Sequence, residues 1–174
     1  WLALDAEPGG RFGKTPNELT ATAYYAHSAE LVRKAAVILG EDEDAETYGR
    51  LSDRIKEAFR NRFYNEAGHL WARTQTAHVL ALAFDLTGEE YRQRTIDDLE
   101  TLIGEWNGLS TGFLGTPHIC HVLRDNGRVD AAYRLLTKTE YPSWLYPVTK
   151  GATTVWEHWD SIRTDGSFWS DSMN

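Results

Sequence analysis

The residues best suited to chemistry lie together in the run TKGATTVWEHWD, residues 149–160. There a carboxylate, Glu157, stands beside Trp156 and close to Trp159. Glycoside hydrolysis needs a carboxylate that activates water or attacks carbon, and indole rings offer large apolar faces on which a sugar ring can stack. The run therefore predicts a carbohydrate site in which Glu157 is the catalytic candidate and the two tryptophans form a wall.

The same residue types also have a purely structural interpretation. Glu157 would pair with a nearby arginine such as Arg163, while both tryptophans would pack in the core. His158 and Asp160 would then be solvated rather than orient a substrate. Structural ion pairs are common, so on residue types alone this interpretation is the more frequent one.

Two long loops, residues 104–115 and 141–160, are the densest in tryptophan, threonine, glycine and acids. Loops on a rigid scaffold commonly carry function, so Trp144 in the second loop joins the candidates for sugar contact. Two prolines between 141 and 148 predict an irregular segment there rather than a helix. The glycines of the first loop predict backbone that passes close to a ligand or to a neighbouring helix.

Composition argues against several other classes of function. The chain has 174 residues, a net charge of −8 and a pI near 5.2. It shows no basic run, which argues against binding to nucleic acid or to an anionic membrane. No apolar stretch approaches the roughly 18 residues that span a bilayer. Cys120 is the single cysteine, so no internal disulfide is expected, and cytoplasmic and secreted or periplasmic locations both fit.

The motifs give no support to metal, cofactor or nucleotide chemistry. The sequence has no HExxH motif and no cluster of cysteines and histidines at ligand spacing. His69, Gln75 and His78 fit hydrogen bonding at a helix start better than metal ligation. The run STGFLGTPH lacks the lysine of a phosphate-binding loop, and no cofactor is predicted.

Apolar periodicity predicts three helical hairpins. The six predicted helices cover residues 15–40, 44–64, 74–88, 89–104, 116–127 and 129–138. Thr15, Asp44 and Thr116 are the predicted N-caps, and Gly40 and Gly88 are predicted to end the first and third helices. Strand-like alternation is nearly absent.

Helical hairpins in series build either a repeat solenoid or an α/α toroid. The three pairs share no repeated consensus, and their loops differ in length and chemistry. The long loops gather the polar and aromatic residues, as the functional rim of a toroid does. The pattern favours an all-α fold that is part of a toroid.

Several segments together resemble glycoside hydrolase family 78, the bacterial-type α-L-rhamnosidases. The matching runs, in the family's order and over nearly the whole chain, are WLALD, TPNELTATAYYAHSAELVRKAA, TQTAHVLALAFDL, LSTGFLGTPHI, YPSWLYPVTKGATTVWEHWDS and SMN. The resemblance implies that residues 1–174 are a partial (α/α)6 catalytic domain, truncated at both ends. It also implies an inverting hydrolysis that releases terminal α-L-rhamnose.

The resemblance carries one catalytic role onto this sequence. In inverting hydrolysis one carboxylic acid protonates the leaving oxygen, and a second carboxylate deprotonates the attacking water. The family's water-activating glutamate lies in the run TTVWEHWD, so Glu157 is the expected general base. The family usually has arginine at the position of His158, so no role is carried over to that residue. The expected substrate contacts are Trp1, Trp144, Trp156, Trp159 and Asp160.

The resemblance also implies what the chain lacks and what it binds. The family's general acid belongs to a DCPQR-type segment that precedes the position of Trp1, so the isolated chain is expected to be nearly inactive. The implied partner is a rhamnose-containing glycoside, and uncovered helix faces are expected to allow a homodimer. Two alternatives stay open: a non-catalytic helical scaffold that binds a peptide or partner, and another toroidal glycosidase. Convergence of the tryptophans around Glu157 on one rim would favour an enzyme.

Overall fold

The computed structural model describes residues 2–8, 10 and 12–168. Within these residues the fold is helical, and β structure is limited to two isolated bridges, Tyr64 with Leu70 and Ile162 with Phe168. The helices are α1 (Asn17–Leu39), α2 (Asp42–Phe63), α3 (Gln75–Ala83), α4 (Gly88–Glu105), α5 (Thr116–Asp125), α6 (Val129–Thr137) and the single turn α7 (Tyr146–Thr149). The predicted all-α fold is confirmed. None of the helices in this part of the chain has the length and apolar character needed to cross a membrane.

Consecutive helices pack as three hairpins: α1 with α2, α3 with α4, and α5 with α6. The hairpins meet through their first helices, because α3 contacts both α1 and α5. These first helices form one layer, and their partners α2, α4 and α6 lie on its outside. The prediction of three hairpins is confirmed.

Because the helices alternate in direction, every second connection returns to the same end of the layers. We call this end the rim, and it is made of residues 2–8, 10, 12–16, 64–74, 106–115 and 138–168. Hydrogen bonds join its segments to one another. The Thr15 and Thr74 hydroxyls lie 2.6 Å apart, and the Leu4 amide donates to the Ser110 carbonyl at 2.9 Å.

α3 lies at the centre of the packing. Every residue from Gln75 to Leu82 is buried, because α1, α4 and α5 all contact this helix. One apolar cluster, with Phe59 and Leu80, packs α3 against the first hairpin, and a second, with Leu99 and Leu123, joins α3 to α4, α5 and α6. Burial of each such side chain contributes about 1.5–3 kcal/mol, so these clusters hold the two layers together.

The start of α1 differs from the prediction, whereas its end agrees with it. The helix begins at Asn17, after an extended Pro16, and Thr15 does not cap it. The Thr15 hydroxyl is instead bonded to Thr74, in another segment of the rim. Gly40 ends the helix as predicted, with a φ of 76° that glycine adopts without strain.

The predicted end of the third helix is wrong. α3 ends at Ala83, and Gly88 begins α4 instead. The chain leaves the helix early because Asp85 takes a left-handed φ of 55° and the Leu86 amide turns back to the Ala81 carbonyl at 2.8 Å. This is the bonding pattern of a helix C-terminus. The residues after it are still apolar at helical spacing, so the sequence pattern does not show where the helix ends.

Two further predicted N-caps lie inside their helices. Asp44 is in the first turn of α2, which begins at Asp42, and the acids of that turn face the positive end of the helix dipole. Thr116 is the first residue of α5, and its hydroxyl donates back to the Gly112 carbonyl at 2.8 Å. The segment 141–148, predicted to be irregular, contains the start of α7.

The buried His78 links the stability of this fold to pH. Burial lowers the pKa of this imidazole, whose Nδ1 lies 2.8 Å from the Thr74 carbonyl oxygen. Because the folded-state pKa lies below the unfolded value of about 6.5, the unfolded chain binds more protons as the pH falls, and stability is lost below that value. We expect the free energy of urea unfolding to decrease from about pH 7.5 to pH 5, with a contribution from this proton of at most about 1.4 kcal/mol per pH unit.

The substitution His78→Gln isolates this contribution. The amide keeps a hydrogen-bond donor for Thr74 but cannot take up a proton. The variant should lose less stability on acidification than the unmodified chain. Equal slopes in the two proteins would show that His78 does not carry the linkage.

Candidate active site

One pocket in the rim brings together four of the residues predicted from the sequence: Trp144, Trp156, Glu157 and Trp159. Its volume is about 180 Å³. The remaining lining residues are Leu2, Gly112, Phe113, Thr116, Pro117 and Val155. Within the described residues the lining thus combines indole faces and other apolar groups with a single carboxylate.

Two of the tryptophans in the pocket wall, Trp144 and Trp159, are held in place by contacts outside the pocket. The rings of Trp144 and Trp159 meet edge to face, with centroids 5.6 Å apart and planes inclined at 76°. The Trp159 indole N–H donates to the Thr111 carbonyl at 3.0 Å. Both rings also pack against the second core cluster, so they belong to the core and to the pocket at once.

The Glu157 carboxylate lies half-buried at this pocket. In the part of the chain that the structure describes, no hydrogen bond or salt bridge engages it. Arg163, the partner in the structural interpretation, directs its Nη1 to Ser167 Oγ at 3.2 Å and to the Phe168 carbonyl at 3.3 Å. The observed geometry therefore departs from the ion-pair interpretation.

The segment that carries Glu157 is anchored by Tyr146. This buried side chain donates its hydroxyl to the Ile162 carbonyl at 2.8 Å. Its own backbone amide donates to Ser143 Oγ at 3.0 Å. Because residues 155–162 form no helix or strand, these bonds take the place of a regular element in positioning the carboxylate.

Two predicted substrate contacts are not found among the pocket residues. Asp160 is half-buried and does not line the pocket. It lies near Tyr141, and burial together with the negative charge of Asp160 raises the pKa of this phenol to about 12. Trp1 lies outside the described residues.

A larger groove of about 560 Å³ lies between α4 and α6. It is lined by Asp97, Glu100, Thr101, Ile103, Gly104, Asn107, Gly108, Ala131, Arg134, Leu135 and Lys138. None of the predicted site residues borders it, and it has no aromatic wall. In the described residues no three His, Cys, Asp or Glu side chains are grouped so that they could hold a metal ion. The chemistry therefore places the candidate site at the smaller pocket.

The whole chain matches one protein-family model. Residues 1–174 match the family described as the bacterial alpha-L-rhamnosidase 6 hairpin glycosidase domain. The chain belongs to this family. The resemblance found in the sequence motifs is confirmed, and the three helical hairpins are part of the six-hairpin fold.

Relatives of this family agree in sequence and in structure. The chain is 46% identical over its whole length to an alpha-L-rhamnosidase of Streptomyces avermitilis and 42% identical to one of Formosa agariphila, of which it covers 16% and 19%. The crystal structure of the Streptomyces avermitilis enzyme complexed with L-rhamnose matches 98% of the chain with a TM-score of 0.89 at 44% identity, over 16% of that protein. The native alpha-L-rhamnosidase of Aspergillus terreus matches 98% of the chain with a TM-score of 0.92 at 32% identity, over 20% of its length. The chain thus spans a fifth or less of these rhamnosidases.

The pocket also contains residues that the sequence did not single out as site residues. Phe113 and Pro117 line it from the glycine-punctuated segment STGFLGTPH, for which close backbone approach was predicted. At Gly115 the close approach is to its own loop and to α3, because a Cβ there would lie 2.8 Å from Thr111 Cγ2 and 3.0 Å from Thr76 Oγ1. The glycines were a usable signal for close packing, but nothing local assigned the segment to the pocket.

The anchoring role of Tyr146 is testable. Tyr146→Phe removes the bond to the Ile162 carbonyl, and we expect the free energy of urea unfolding to fall by about 1–2 kcal/mol. Tyr133→Phe is the matched control, because this tyrosine is 63% exposed, and it should change stability by less than about 0.5 kcal/mol. Similar values for the two variants would show that the Tyr146 hydroxyl does not hold the segment.

Proposed function

We propose that the chain is part of the catalytic domain of an inverting glycoside hydrolase that releases terminal α-L-rhamnose from rhamnosides, with Glu157 as the general base. The observation that carries this proposal is the half-buried Glu157 carboxylate in an indole-walled pocket, with no partner among the described residues. Family membership supports the reaction, and a relative whose structure was solved with L-rhamnose supports the sugar.

The pocket fits the mechanism of inverting hydrolysis, which uses two carboxyl groups. The base removes a proton from the water that attacks the anomeric carbon, while an acid protonates the leaving oxygen from about 6.5–9.5 Å away. Within the described residues Glu157 is the single acid of the pocket lining. The proposal therefore assigns the general acid to residues outside this lining, and the 174-residue chain alone is proposed to be nearly inactive.

The apolar walls fit the sugar that the family name indicates. L-Rhamnose is a 6-deoxy sugar, so it presents a methyl group where most hexoses present a hydroxyl. Trp144, Trp156 and Trp159, together with Phe113 and Val155, would contact that methyl group and the apolar ring face. Direct contacts from Trp1 and Asp160 to the substrate are proposed from the family resemblance alone.

The role of Glu157 is tested by Glu157→Gln in the full-length gene product. We expect kcat for p-nitrophenyl α-L-rhamnoside to fall roughly 10²–10⁴-fold with little change in KM, because the amide cannot accept the water proton. Added azide, which attacks without a base, should restore turnover and give the inverted rhamnosyl azide.

The matched control is Glu140→Gln, which alters an exposed acid of the same rim. This variant should keep the activity of the unmodified enzyme. A Glu157→Gln enzyme with kcat within about threefold of the original would rule out the general-base role.

We further propose that a second copy of the 174-residue chain covers the free face of α1. Six large apolar side chains stand exposed on this helix: Tyr25, Leu31, Val32, Val37, Ile38 and Leu39, at 42–84% of their accessible surface. In a six-hairpin fold, exposed apolar helix faces are buried where one hairpin packs against the next. In the isolated chain, a second copy would bury the apolar face of α1 instead.

Sedimentation equilibrium of the 174-residue chain tests this association. We expect a dimer at micromolar concentrations and a shift toward monomer when Val32→Glu and Ile38→Glu are combined. Val148→Glu places a charge on another apolar residue that is 61% exposed and should leave the dimer intact. A chain that sediments as a monomer up to about 100 µM would contradict the proposal.

A further inference from the structure

Gln75, the first residue of α3, is buried and makes three hydrogen bonds to the backbone of other segments. Its Nε2 donates to the Gly108 carbonyl at 2.8 Å and to the Leu102 carbonyl at 3.3 Å. Its Oε1 accepts from the Ser110 amide at 2.8 Å. Both amide hydrogens and the amide oxygen are thus engaged, and the side chain ties the central helix to the end of α4 and to the 106–115 loop.

The tied loop continues directly into the pocket. Thr111 follows Ser110 in the chain, and its carbonyl accepts the Trp159 indole N–H at 3.0 Å. Gly112 and Phe113 come next and line the pocket. Gln75 therefore bonds to Ser110, and the next residue, Thr111, bonds to the Trp159 indole that stands beside Glu157.

We propose that Gln75 is a positioning residue for the catalytic pocket, an inference that rests on the proposed function. It holds the Thr111 carbonyl where the Trp159 N–H meets it, and so it sets the place of the indole wall relative to Glu157. Gln75 does not line the pocket and acts only through the loop. The anchor is rigid because α3 is buried along its length, as a supporting residue on a regular element should be.

Two substitutions break this tie in different ways. Gln75→Met keeps the length of the side chain and removes all three bonds. Gln75→Glu keeps the shape but places a carboxylate oxygen against the Gly108 and Leu102 carbonyls. Once protonated at acid pH, the introduced carboxyl can donate to Gly108 and still accept from Ser110.

The first measurement follows the Trp159 indole N–H by NMR in the ¹⁵N-labelled 174-residue chain. Trp159→Phe identifies the signal, and far-UV circular dichroism verifies that each variant is helical. We expect the signal to shift in Gln75→Met, and to shift in Gln75→Glu at neutral pH and return toward its original position in acid.

The control for this measurement is Tyr64→Phe. It also deletes a buried hydrogen bond, between the Tyr64 and Thr95 hydroxyls 2.8 Å apart, but it lies off the path to the pocket. It should leave the Trp159 signal in place. An unchanged Trp159 signal in a folded Gln75 variant overturns the proposal.

The second measurement is the turnover of an aryl rhamnoside by the full-length gene product. We expect Gln75→Met to lower kcat on the order of 10–100-fold through displacement of the pocket wall, with KM within about threefold. Tyr64→Phe should lower thermal stability and keep kcat. A Gln75→Met enzyme that loses stability but keeps kcat within about twofold assigns a merely structural role to Gln75 and overturns the proposal.

The two measurements separate the two possible failures. If the unmodified protein does not hydrolyse the rhamnoside, the proposed function fails, and the Trp159 signal still decides whether Gln75 positions the loop. If Gln75→Met does not fold, Gln75→Glu decides instead. Recovery of its kcat toward acid, relative to the unmodified enzyme, supports the proposal, and parallel pH profiles overturn it.

Discussion

The burial of α3 on all sides is the constraint on which the rest of the structure depends. A helix without a wet face must satisfy its polar side chains within the protein, and α3 begins with several of them. Gln75 bonds backbone at the end of α4 and in the 106–115 loop, His78 lies against the Thr74 carbonyl, and Thr74 meets both the Ala77 amide and the Thr15 hydroxyl. The bonds of Gln75 and the Thr15–Thr74 bond therefore tie the start of α3 to other segments, whereas the His78 and Ala77 bonds satisfy polar groups within that start.

The rim has little regular backbone, and aromatic side chains supply the bonds that a helix or strand would make. Trp159 donates to Thr111, Tyr146 donates to Ile162, and Trp144, which lines the pocket, also packs against the second core cluster. This explains why a chain with 7 Trp and 8 Tyr resists a choice between core and sugar site on composition alone. A ring with an apolar face and a polar edge satisfies the core with one part and lines the pocket with the other.

The sequence predicted what depends on local pattern and missed what depends on a single dihedral or a distant partner. Apolar periodicity predicts the hairpins. It also extends the third helix to Gly88, past its observed end at Ala83, because the left-handed turn at Asp85 does not interrupt the apolar pattern. Residues 156–159 could be grouped because they are contiguous, but Phe113 reaches the pocket only through the packing of α5 beside α3. Asp160 shows that a position next to this run in the sequence does not by itself bring a residue into the pocket. It adjoins that run, yet on irregular backbone it lies near Tyr141 and does not line the pocket.

The depth of Glu157 is a compromise that the irregular rim makes possible. A carboxylate buried without a partner would lose its charge to desolvation, and a partner cation would occupy the oxygens that a base needs for water. A fully exposed carboxylate would keep its charge but could not bring water against a sugar held on a ring face. Half-burial beside indole rings, with no cation attached among the described residues, is the position that the proposed role of general base calls for. In a helix of 3.6 residues per turn, adjacent residues point to different sides. Irregular backbone allows Trp156 and Glu157, which are adjacent, to line the same pocket.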